Sequence, residues 1–156
     1  MCEVVLRPSR SGQAAFWKLV RELGKRLLFV HFAPPCRTSS LARNIRRFNA
    51  DGTPAKCDPK PLRSAAYPDG LPSLSGLDKI KVVAANALYK FVAEACYTLS
   101  KMRVAWSCEN PTNSRMWDTK YFARLSELKA EGRTYYGRVS MQMCMHGGLS
   151  LIHISE

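Results

Sequence analysis

The sequence predicts an α/β chain: a mostly parallel sheet with flanking helices. Three observations carry this. Leu27 to Phe32 is a short apolar run that stops at Pro34-Pro35. A long apolar pattern at three- and four-residue steps follows from Asp78 to about Lys101, and a second short run, Val104 to Ser107, comes directly after it. A strand, a long helical crossover and a second strand make a unit whose strands should be parallel and its connection right-handed.

The elements follow in chain order. Ser11 is a candidate N-cap, and Phe16, Trp17, Leu19, Val20 and Leu23 give a helical apolar face that stops at Gly24. The Leu27 to Phe32 run has no polar alternation apart from His31 and reads as a strand buried on both faces, although periodicity alone also allows a buried helical turn. Its length and the two prolines favour a strand. Thr38 to Arg47 reads as a short basic helix. Phe48 to Gly76 then carries five prolines and three glycines without periodicity, so it is either a functional lid or a disordered segment.

In the long helix the core face is expected to comprise Ile80, Val83, Ala84, Ala87, Leu88, Phe91, Val92, Ala95 and Leu99. Thr119 to Glu131 reads as another helix, with Tyr121, Phe122, Leu125 and Leu128 inward and Gly132 closing it. A final strand is expected over roughly Tyr135 to Met145. This alternation of helix and strand argues for one open sheet, whose ligands sit beyond the carboxyl ends of the strands. Cys36 and Glu109-Asn110 both fall at such ends.

Composition bounds the function. The 156 residues suit one domain, and the apolar runs are too short or too interrupted by Lys90 and Glu94 to cross a bilayer. No signal peptide is read at the N-terminus. Twenty-four Lys and Arg against twelve Asp and Glu give a net charge of +12, which points to a polyanionic partner. Between Glu22 and Asp51 there is no acidic residue, so Lys25, Arg26, Arg37, Arg43, Arg46 and Arg47 surround Cys36. A solvated, solubilising surface is the competing reading of such a run. Six cysteines without a paired knuckle indicate neither a disulfide framework nor a metal site, and the chain reads as intracellular, nuclear or cytoplasmic.

Cys36 alone is more readily a small buried hydrophobe than a nucleophile. The segments Pro35-Cys36-Arg37-Thr38-Ser39-Ser40 and Glu109-Asn110-Pro111, with a helix containing Leu88-Tyr89-Lys90-Phe91 between them, resemble the catalytic half of a DNA (cytosine-5) methyltransferase. In that family a strand ends in Pro-Cys and the next sheet strand ends in Glu-Asn-Val. Gln142-Met143-Cys144-Met145-His146 is a weaker echo of the family's Gln-x-Arg-x-Arg strand. The resemblance implies a partial Rossmann-like sheet of the S-adenosylmethionine-dependent methyltransferase type. It makes Cys36 the nucleophile at cytosine C6, Glu109 the group at N3, and Asn110 the residue that positions the turn.

S-adenosylmethionine would be the methyl donor and DNA, or RNA, the partner, with Arg37, Ser40, Arg43, Arg46, Arg47 and Arg63 on the nucleic acid. The chain departs from the family at Arg37, Ser39 and Pro111, and it lacks a Phe-x-Gly-x-Gly loop for the methyl donor. An inactive basic nucleic-acid-binding module, or a truncated fragment that does not fold alone, are the alternatives. Residues 1–149 are read as a single catalytic segment, incomplete, and Ser150 to Glu156 as a non-native tail resembling translated adapter sequence.

Overall fold

The computed structural model of the chain describes residues 10–45, 48–53 and 59–139. Along them run helix α1 (Arg10–Leu23), strand β1 (Phe29–Phe32), helix α2 (Gly76–Lys101), strand β2 (Ala105–Cys108) and helix α3 (Lys120–Ala130), with short 3-10 turns at Gly24–Arg26 and Leu41–Asn44. The chain is therefore mixed α/β. Its described sheet has two strands, paired in parallel with Phe29 opposite Ala105 and Phe32 opposite Cys108. Ser11 lies inside the first turn of α1 rather than capping it.

Alternation along these strands decides where the core sits. Phe32 is buried, and Val30, Trp106 and Cys108 pack with it against the main cluster of the helices. Phe16 of α1 links this face to the crossover helix, its ring 5.8 Å from Phe32 and 5.4 Å from Phe91. The opposite face carries Phe29, His31, Ala105 and Ser107, and Phe29 is 57 % exposed. The expectation of a strand buried on both faces at Leu27 to Phe32 is not met: Val30 and Phe32 pack on the helical cluster, while Phe29 and His31 on the other face are exposed. Leu28, just outside the strand, is 77 % exposed.

Helix α2 is the backbone of the core. Its second half is enclosed on several sides, burying Leu88, Tyr89, Phe91, Val92, Ala93, Ala95, Cys96 and Leu99. The first half has a different inward face from the one its apolar pattern suggests. Ile80, Val83, Ala84 and Ala87 are exposed, and Val82 is buried instead. The cause is the segment 59–75, which docks along Val82, Asn86 and Tyr89 at four- and three-residue spacing. Asn86 Nδ2 donates to Asp69 O, and Arg63 reaches both Asn86 and the Tyr89 ring. Gly70 sits so close that an added Cβ would lie 2.7 Å from Val82 Cγ1. Residues 59–75 are thus ordered structure packed on α2, and residues 54–58 of the expected loop lie outside the described residues.

Two helix ends share one geometry. In α3, Arg133 N donates to Leu128 O and Gly132 N to Lys129 O, with Gly132 left-handed at φ +70°. In α2, Val104 N donates to Leu99 O and Arg103 N to Ser100 O, with Arg103 itself left-handed at φ +58°. This motif favours glycine at the left-handed position. The turn sends the chain straight from α2 into β2. Over the described residues of the expected Thr38 to Arg47 helix, 38–45, there is no α-helix: Leu41–Asn44 forms a 3-10 segment. Tyr135 to Val139 forms no strand, and the rest of that expected element, including Gln142, Cys144 and His146, lies outside the described residues.

Candidate active site

Because β1 and β2 are parallel, their carboxyl ends open on the same side, and both sequence-predicted segments leave there. Glu109 N donates to Phe32 O at 2.8 Å, extending the ladder by one bond. Asn110 Nδ2 then donates to Pro34 O at 2.7 Å. The Glu109-Asn110 turn is therefore tied to the chain two residues before Cys36. Asn110 Oδ1 is buried and has no hydrogen-bond partner among the described residues.

The Cys36 turn is fixed from three directions. Its carbonyl accepts from Ser39 N and Ser40 N, both at 2.8 Å, so the chain reverses tightly after the cysteine. Below it four hydroxyl and carbonyl groups form a line: Ser114 Oγ donates to Ser39 Oγ at 2.8 Å, Ser39 Oγ lies 2.8 Å from Tyr89 Oη, and Tyr89 Oη donates to Pro35 O at 2.8 Å. With Ser39 as donor to Tyr89, each hydroxyl donates once and accepts once, Ser114 Oγ accepting from Met116 N. Every group in the line is then satisfied, as buried polar groups must be. Arg115 N also donates to Ser39 O. Helix α2 and the segment after β2 thus hold the turn, while Cys36 itself is half-buried with a free thiol.

Glu109 is exposed at the mouth of a cleft of about 970 Å³ that runs along β2 and is walled by α3 and residues 135–139. Trp106, Trp117 and Tyr136 line it, with Arg103 and Arg138 at its edges. On the open face of the sheet His31 stands beside Glu109: Nε2 is 3.7 Å from Glu109 Oε2, and Nδ1 shares a 2.7 Å hydrogen bond with Ser107 Oγ. Sequence reasoning singles out neither His31 nor Ser107. The signal was present in the register, since Ser107 and Glu109 share a strand face and His31 is the cross-strand neighbour of Ser107.

The other thiols differ in character. Burial pushes the Cys96 thiol well above its ordinary range, and burial with the neighbouring Glu109 charge pushes Cys108 up to about 12. Cys108 is one residue from Glu109, yet it stays a neutral thiol at neutral pH.

The residues expected on nucleic acid separate into groups. Arg37 is exposed. Ser40 caps the following 3-10 turn, its Oγ accepting from Ala42 N. Arg43 braces the loop, donating from Nε to Lys60 O and from Nη1 to Arg37 O. Arg63 does not fit the expectation: it is 3 % exposed, and its guanidinium donates to Thr38 O, Thr38 Oγ1, Pro68 O and Asn86 Oδ1. Burial lowers its pKa, but it keeps its charge, and its donors are spent inside the protein rather than on phosphate. Arg46 and Arg47 lie outside the described residues.

The described residues do not fit a methyl-donor site of the glycine-loop kind. β1 runs into Ala33-Pro34-Pro35 and β2 into Glu109-Asn110-Pro111, with no glycine in either turn. Gly70 serves internal packing, and a Cβ added at Gly24, Gly52, Gly76, Gly132 or Gly137 would meet nothing. Among the described residues no three His, Cys, Asp or Glu side chains gather to hold a metal, and no helix is long and apolar enough to cross a membrane. In comparisons with known proteins, no family model matches the chain, and no curated protein or solved structure matches it.

Proposed function

We propose that this chain carries the base-activating half of a cytosine-5 methyltransferase-type site acting on nucleic acid, with a sheet of the Rossmann-like kind behind it. The observation that supports the reading most is the 2.7 Å bond from Asn110 to Pro34 O, across two parallel strand ends in register. It ties a cysteine turn and a glutamate turn into one unit, which is what attack on a pyrimidine ring requires. Cys36 adds to C6 as a thiolate, and Glu109 offsets the charge that builds at N3. The all-cationic stretch around the cysteine, with Arg37 exposed on it, attracts the phosphates and favours DNA, with RNA the alternative. S-adenosylmethionine would supply the methyl group from a site outside the described residues.

The test is covalent capture. A DNA oligonucleotide carrying a pyrimidinone in place of cytosine should form an adduct with the chain that withstands denaturation, and Cys36→Ser should abolish it. An adduct that persists in Cys36→Ser sinks the reading.

The same cationic stretch favours a second reading, a binding module without chemistry. Its signature is salt-dependent DNA binding that Arg37→Ala weakens and Cys36→Ser leaves untouched, with no adduct in either.

A further inference from the structure

The Ser107, His31 and Glu109 side chains stand in a row on the face of the sheet away from the helical core, and among the described residues none of the three belongs to that core. His31 and Ser107 are register partners whose Cβ atoms the ladder brings together, and Glu109 is two residues beyond Ser107 on the same face. The 2.7 Å hydrogen bond between Nδ1 and Ser107 Oγ, donated by Nδ1 when the ring is charged, fixes the ring so that Nε2 points along the strand toward Glu109, 3.7 Å away. A hydrogen bond needs about 2.8 Å, so closing the gap takes about 1 Å of side-chain movement; catalytic bonds in unliganded sites are commonly long in this way.

We propose that His31 is a positioning residue that keeps the Glu109 carboxyl group supplied with a proton during attack on the base. This rests on the reading of Cys36 and Glu109 given above. As the Cys36 sulfur bonds to C6, the C5–C6 π pair moves between C4 and C5 and the C4–N3 pair moves onto N3. The Glu109 carboxylate takes the Nε2 proton of the His31 imidazolium and passes it to N3, leaving a neutral ring still bonded to Ser107 through Nδ1. Thiolate and imidazolium are consumed together, so charge balances, and the reverse steps restore both when the sulfur leaves. The other ionisable groups on the cleft are Arg103, Cys108, Tyr135, Tyr136 and Arg138. His31 is the group whose ring nitrogen stands beside the Glu109 carboxyl group, 3.7 Å away, in position to pass it a proton.

The experiment needs no methyl donor. Addition of the thiolate makes C5 basic, so it picks up deuterium from heavy water before elimination, and exchange at C5 of cytosine in a DNA oligonucleotide reports the half-reaction. The wild-type chain should give a bell-shaped pH profile, the thiol setting the acid limb and His31 the alkaline one. His31→Gln, which keeps a donor but cannot titrate, should lower the rate by roughly tenfold to a hundredfold and turn the bell into a steady rise. His31→Gln added to Glu109→Gln should cost no more than Glu109→Gln alone, since one acts through the other. In the resting protein, Glu109→Gln should lower the His31 pKa followed by NMR.

Exchange that keeps the same bell in His31→Gln overturns this proposal and leaves the Cys36 reading standing. A His31 pKa unmoved by Glu109→Gln also overturns it. No exchange in the wild-type chain, or exchange that survives Cys36→Ser, overturns the underlying reading and this one with it.

Discussion

Replacing Tyr89 by phenylalanine removes one oxygen from the centre of the protein, and its effect can be worked out group by group. Tyr89 is fully buried and its ring packs in the main cluster, so Phe preserves the shape and the apolar contacts. What is lost is the hydroxyl that accepts from Ser39 and donates to Pro35 O. The Ser39 hydroxyl has a second acceptor, the Cys36 carbonyl at 3.2 Å, so its proton can be rehoused. Pro35 O is the group left bare, and because Pro35 is otherwise exposed, water reaches it in part. A wholly orphaned buried group costs about 1–3 kcal/mol, so the loss should sit near the low end, about 1 kcal/mol. For a chain of this size that is a fall in Tm of roughly 2–4 °C. Urea unfolding should show a lower midpoint with the same m-value. Mass spectrometry of iodoacetamide-labelled peptides should show Cys36 alkylated several-fold faster, because the turn that presents it has lost its anchor to α2. Ser114→Ala combined with Tyr89→Phe should be less than additive, as both cut one line. If Tyr89→Phe matches the parent in both stability and Cys36 labelling, the line of hydroxyls does not hold the turn.

Three further outcomes are expected. Arg63→Ala should destabilise by roughly 2–4 kcal/mol in urea unfolding, because two carbonyls, a hydroxyl and an amide lose a charged donor, and Arg63→Lys should not restore them; a loss of DNA affinity with unchanged stability would contradict this. Arg103→Gly should stabilise by about 1 kcal/mol, since a left-handed residue at the end of α2 is strained for any side chain, and a lower Tm would show that the side chain contributes more than the strain costs. Stability should fall as pH rises above the ordinary thiol value of 9.0, because Cys96 and Cys108 are held protonated in the folded state and ionise first in the unfolded one. The slope approaches about 1.4 kcal/mol per pH unit for buried Cys96 and is smaller for half-buried Cys108; Cys96→Ala should flatten it, and an unchanged slope would refute the assignment.

The elements that bury a repeating pattern were readable in advance. Helix α2 and the two strands lie close to where apolar spacing puts them, and so does the convergence of Pro35-Cys36 and Glu109-Asn110 on one sheet edge. Phase was legible only where a helix is enclosed on several sides. Over Ile80 to Ala87 the apolar residues outnumber the contacts on offer, and the choice of Val82 was made by a proline-rich segment whose docking no periodicity announces. Arg63 shows the same limit. A cation in such a segment reads as exposed, and only the carbonyls of Thr38 and Pro68, brought together by the fold, explain its burial. His31 needed the register of two strands 76 residues apart, which turns an odd polar residue in an apolar run into a neighbour of Ser107.

The bond from Asn110 to Pro34 has a mechanical meaning as well. It ties the thiol turn and the carboxyl turn together, so on the function proposed above an incoming ring would meet a jaw whose spacing is set before it arrives. The ordering of the two groups is completed during folding, and a substrate that docks between them need not supply it from its own binding energy. Displacement of one side would drag the other, so a single substitution at Asn110 should blur the gap between the Cys36 and Glu109 side chains while leaving both chemically intact.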